Sequence, residues 1–161
     1  MDLWIANRAE TCSRLIPKEQ MEVGHEMQNE ARRVNISEAA MLIRIPRLYR
    51  PGMSDESLYE ATRAAWVVGP RRNDADLALA VVRGVVLEVY EIDRWQPAGT
   101  AHYKDRSPEA GWRKRWEFVG SVAAEPVRSK YIGGSVAQYV QRGNRSPIRY
   151  VTVRAGCDGA T

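Results

Sequence analysis

Apolar residues along the chain gather into short runs set between polar stretches that carry proline and glycine. The first run, Ala40-Met41-Leu42-Ile43-Arg44-Ile45, reads as a β-strand ended by Pro46. After the turn Arg50-Pro51-Gly52-Met53 the period changes. Leu58, Ala61, Thr62, Ala65 and Trp66 recur at helical spacing behind Ser54, an N-cap residue, with Asp55 and Glu56 suited to the positive first turn and Gly69-Pro70 as the stop. Leu77–Val82 and Val85–Ile92 read as two strands around Arg83-Gly84, where glycine supplies the positive φ of a two-residue turn. The first of these strands has so few polar residues that it is expected at the centre of a sheet, covered on both faces.

Residues 93–112 form a polar excursion broken by Pro97, Gly99, Pro108 and Gly111. Trp116–Val122 is a further strand in which aromatic and polar residues alternate. A short helix is expected over Glu125–Tyr131, a helical turn over Ser135–Tyr139, and a last strand over Pro147–Val153. The order is β-α-β-β-loop-β-α-β. The expected fold is therefore α+β: a small curved antiparallel sheet or partly open barrel, with two or three flanking helices packed to one side. The domain is expected over 40–154, preceded by a partly helical appendage or linker at 1–39 and followed by a flexible tail at 155–161. Within the appendage a helix is expected over Met21–Arg33, with a thin apolar stripe.

At 161 residues the chain has room for one core. No apolar run approaches the roughly 20 residues of a membrane helix, and the N-terminus has neither a basic nor an apolar signal region, so a cytoplasmic protein is expected. Cys12 and Cys157 stand too far apart for a zinc or redox motif, and His25 and His102 have no ligand-spaced neighbours. No metal and no cofactor are expected. The net charge of +4 is unevenly spread: residues 1–40 sum to −2 and the remainder to +6. A cationic domain of this kind permits phosphate binding.

The strings RPGMSDESLYEATRAAW, LALAVVRGVVLEVYEIDRW and WEFVGSVA, in this order, resemble the PUA-like β-barrel superfamily, with its EVE, ASCH, YTH and SRA branches. They are also similar to modules appended to bacterial defence and restriction proteins. The resemblance spans roughly residues 40–154 and lies in architecture and loose motif; no diagnostic signature matches residue by residue. It implies a reader of a modified or flipped base or an RNA-associated module, with any nuclease supplied by a partner domain or chain.

Candidate chemistry follows that expectation. Five tryptophans against one phenylalanine is an unusual aromatic choice. Trp66, Trp95 and Trp112, with Tyr90, are candidates to stack an extruded base. For Trp66 and Trp116 the favoured reading is as core anchors, since each falls on a periodic apolar face. Asp93 and Glu91 are candidate acceptors for a base amine, and Glu88 becomes a site candidate if its strand face looks inward. Phosphate candidates are Arg71, Arg72, Arg113, Lys114, Arg115 and Arg145, with Lys104, Arg106, Arg142 and Arg149 in the same basic groups. The leading function is DNA binding, with RNA as the alternative ligand. A small hydrolase of the ASCH type would need Glu88 or Glu91 with Lys104 or Lys130, its lysine buried to act as base. A protein-interaction module would instead show its tryptophans on a flat exposed patch.

Overall fold

The computed structural model describes residues 31–140 and 142–151. Five strands, β1 (Ala40–Arg44), β2 (Leu77–Val82), β3 (Val85–Pro97), β4 (Trp116–Val122) and β5 (Ile148–Val151), form one open mixed sheet in the order β4-β3-β2-β1-β5. The two α-helices are α1 (Asp55–Arg63) and α2 (Val127–Tyr131), joined by 3-10 turns at Pro70–Asp74, Ala110–Trp112 and Ala137–Tyr139.

The sheet is not wholly antiparallel, because β1 and β2 run parallel. A connection that carries a helix permits this, where a tight hairpin would not. The other three pairings are antiparallel. At the β2–β3 turn Arg83 and Gly84 both take positive φ, 51° and 80°, which gives a hairpin its native twist.

β2 is central and buried, as its composition implies, and the apolar runs of β1 and β2 explain a second departure from expectation. Ala40, Leu42, Leu77, Leu79 and Val81 pack on one face with Val34, Ile36, Tyr131 and Val136. Met41, Ile43, Ala78 and Ala80 pack on the other with Ala61, Trp66, Tyr90 and Phe118, and with Leu58 and Tyr59 of α1. The helices thus cover opposite faces rather than one, since strands apolar on both sides need cover on both. Each fully buried leucine there contributes about 1.5–3 kcal/mol.

Helix α1 begins where the sequence places it: the Ser54 side chain accepts from the Ser57 N–H at 3.1 Å. It ends earlier than the Gly69-Pro70 stop, at Arg63, and Pro70 instead opens a 3-10 turn. Trp66 then leaves helical geometry to pair antiparallel with Trp116, the backbone N–H of each donating to the other's carbonyl at 2.8 Å. Of the expected appendage, 31–39 are described. Val34 and Ile36 are buried in the core, and Arg33 bridges to Ser135. The helix expected over Met21–Arg33 falls mostly outside the described residues, as does the tail; its last residues, 31–33, are not helical.

β3 is longer than expected. Its first half pairs with β2 and its second with β4, and the register slips between Ile92 and Arg94, leaving Asp93 unpaired as a bulge. Beside the bulge the strands press together: a Cβ on Gly120 would overlap the Glu91 carbonyl oxygen. The Tyr59 hydroxyl caps this spot, donating to the Gly120 carbonyl and accepting from the Gly120 N–H, both at 3.0 Å. The phenol helps pin helix α1 to β4.

Candidate functional site

The long excursion folds over its own small cluster of Ala64, Ala65, Tyr103 and Trp112. Its ends are clasped by the Ala98 N–H donating to the Arg115 carbonyl at 2.9 Å. The alternation along β4 points Glu117 outward, yet its side chain is fully buried. Four donors surround it: the Gln96 side-chain amide at 2.6 Å, the Gly99 and Ala101 N–H groups at 2.8 and 2.7 Å, and the Tyr103 hydroxyl. Burial alone would raise this carboxyl; the donors, led by Tyr103, outweigh it and hold Glu117 below the ordinary range. Burial, and then the bond to Glu117, push the Tyr103 phenol upward, so it remains the donor.

Arg63 lies between the rings of Tyr59 and Tyr103, 5.0 and 5.3 Å from their centroids, and 3.8 Å from Glu117. Glu60 binds the Lys104 and Asp105 N–H groups, and Arg106 donates to the carbonyls of Glu60 and Ala64. These buried charges hold the excursion in place. Sequence periodicity missed them because their hydrogen-bond partners come from residues 14 to 46 positions away.

The base-pocket candidates do not gather into one cage. Tyr90 is core, 2% exposed. Trp95 packs edge-on against Phe118, with centroids 5.7 Å apart, and its indole N–H is buried with no partner among the described residues. Trp112 is buried against Tyr103 under the Arg106 guanidinium. Glu88 does look inward, and Arg128 grips both its oxygens at 2.8 and 2.9 Å, which makes a structural ion pair. Asp93 and Glu91 line a separate cavity of about 280 Å³ with Glu38 and Asp76. Of the hydrolase lysines, Lys104 is exposed and pairs with Glu56, whose hydrogen bond raises its ammonium, while Lys130 pairs with Glu38. Neither lysine is buried, as the role of base would require.

The basic candidates also divide. Arg115 donates to the Gly111 and Ala65 carbonyls. Arg113 and Lys114 are exposed, Lys114 at φ 64°. Arg71 lies over the Tyr150 ring at 5.0 Å and Arg72 over Trp116 at 3.6 Å.

Trp66 and Arg145 do meet. They line a cavity of about 690 Å³ together with Arg44, Ile45, Pro46, Arg47, Leu48 and Pro147. The volume falls in the range of ligand sites, about 300–1,000 Å³. Topology assembles it: β1 delivers Arg44 and the chain leading out of it Arg47, while antiparallel pairing of β5 with β1 brings the Arg145 loop alongside. The Arg44 guanidinium donates through one nitrogen to the carbonyls of Asn144 and Ser146, both at 2.7 Å, tying the two segments together. The Trp66 indole N–H donates to the Thr62 carbonyl at 2.7 Å, which fixes the ring. Among the described residues no carboxylate lines this cavity and none pairs with Arg44, Arg47 or Arg145. Sequence reasoning found Trp66 and Arg145 and missed Arg44 and Arg47. The signal available was the density of arginines on either side of Pro46.

Among the described residues there is no cluster of His, Cys, Asp and Glu able to hold a metal, and no helix long and apolar enough to cross a membrane. No family model, curated protein or solved structure matches the chain.

Proposed function

We propose that this domain binds nucleic acid, accepting an unstacked nucleotide of DNA in the cavity between Trp66 and the three arginines. One observation carries the reading: Arg44, Arg47 and Arg145 line one cavity with Trp66, and no carboxylate is among its described lining residues. Guanidinium forks match phosphate oxygens in geometry and charge, and an aromatic wall favours a planar base. The exposed Leu48 adds an apolar side chain to the lining. Arg71 and Arg72, stacked on Tyr150 and on the Trp116 that pairs with Trp66, extend positive charge along the same connection. A PUA-like architecture, recognition of a modified base, a cytoplasmic setting and a partner nuclease belong to the same proposal.

The test is a titration of the protein against duplex DNA, single-stranded DNA and RNA of one sequence, with and without modified cytosine, at two salt concentrations. The reading expects single-stranded or mismatched DNA to bind more tightly than matched duplex, with a preference that persists as salt rises. Affinity that ignores strand state and vanishes with salt reduces the cavity to non-specific charge attraction.

A further inference from the structure

We infer that the cavity takes a terminal phosphate of a nucleotide, a phosphomonoester, in preference to an internal phosphodiester of a strand. This rests on the nucleotide reading of the same cavity and specifies the group it receives.

Charge makes the first case. Arg44, Arg47 and Arg145 line one cavity, with neither carboxylate nor histidine among its described lining residues. An internal phosphodiester carries a single negative charge and two free oxygens, which one guanidinium fork satisfies. A phosphomonoester carries about −1.5 to −2 at neutral pH and three strong acceptor oxygens, the complement of an arginine cluster.

Order makes the second. The bonds from Arg44 to the Asn144 and Ser146 carbonyls, with the Arg44 N–H donating to the Pro147 carbonyl at 2.8 Å, fasten the end of β1 to the loop bearing Arg145. Two of the three cations are thereby carried on segments locked to each other by neutral groups, so their charge is positioned without being cancelled. With its guanidinium already held, Arg44 lowers the cost of ordering side chains on binding.

The test uses the full chain and three probes: a single-stranded oligodeoxynucleotide labelled internally with either a phosphate or a hydroxyl at its 5′ end, the same strand with a 3′ phosphate, and a free deoxynucleoside monophosphate as competitor. At about pH 7.5 either phosphorylated strand is expected to bind about tenfold more tightly than the hydroxyl strand, as one added charge-assisted contact implies. That advantage shrinks at about pH 5, below the second phosphate ionisation near 6. Arg47→Gln and Arg145→Gln, both exposed positions, erase the difference while leaving the thermal midpoint unchanged. Equal binding of phosphorylated and hydroxyl strands overturns the inference and leaves the nucleic-acid reading standing. Binding by the mononucleotide but by neither strand keeps the phosphomonoester and overturns the strand. Failure of all probes overturns both.

Discussion

Replacing Glu117 by glutamine alters one side-chain oxygen and tests the scaffold beneath the excursion. One carboxylate oxygen accepts from Gln96 and the Ala101 N–H, the other from the Gly99 N–H and the Tyr103 hydroxyl. A glutamine amide presents one acceptor and one donor group. Gln96 can flip and Tyr103 can turn to accept, but neither Gly99 nor Ala101 can reverse a backbone N–H. Either orientation of the new amide therefore aims its nitrogen at a backbone donor. The loss combines a buried donor left unsatisfied, about 1–3 kcal/mol, with the weakening of the remaining charge-assisted bonds, for a total of about 3 kcal/mol. For a chain of this size that lowers the melting temperature by about 6–12 °C.

The acid limb gives an independent readout. Because the folded-state pKa of Glu117 lies below its unfolded value, the unfolded chain takes up the proton more readily. The carboxylate's contribution is complete above the unfolded value, about 4.5, and is lost as pH falls through the folded one. Glu117→Gln removes that part of the pH dependence. The assay is thermal unfolding from neutral pH to about pH 3, with hydrogen exchange at Gly99 and Ala101. A fall of less than about 2 °C with both amides still protected would refute the argument that this carboxylate organises the loop.

Two further substitutions separate packing from binding. Tyr59→Phe leaves the ring against Tyr90 and Phe118 but strips both bonds from Gly120. It is expected to cost about 1–2 kcal/mol by chemical denaturation, and a neutral result would show that water replaces the phenol without loss. Trp95→Ala empties the site beside Phe118; it is expected to lower stability by about 2–3 kcal/mol and leave nucleic-acid affinity unchanged. Lost affinity at intact stability would return Trp95 to the ligand site.

Local signals in this chain proved legible where the deciding partner sits close in sequence. Ser54 reaches an N–H three residues on, and Gly84 sets its own turn, so the α1 start and the β2–β3 hairpin follow from the residues themselves. The apolar run Leu77–Val82 placed β2 at the sheet centre for the same kind of reason. The direction of β1 against β2 was not legible, because a helix-bearing connection allows parallel pairing and the apolar pattern is identical either way. Glu117 was hidden because an alternating strand assigns its polar residues to water. Only the folded excursion reveals four donors waiting on the inner side. The cavity was half visible: Arg145 and Trp66 drew notice singly, but Arg44 and Asn144 stand 100 positions apart and meet only through β1–β5 pairing.

The clasp between Ala98 and Arg115 also bears on what this chain tolerates in descent and in the laboratory. With its ends joined by a backbone bond and its body held by Glu60 and Glu117, the excursion is closed before its outermost residues are counted. Ser107–Gly111 are all exposed. Loop-closure entropy grows only logarithmically, by about 0.6 kcal/mol for each doubling of length. The sheet therefore senses the two ends of this segment and scarcely its extent, which makes its outer turn the natural port for grafted sequence.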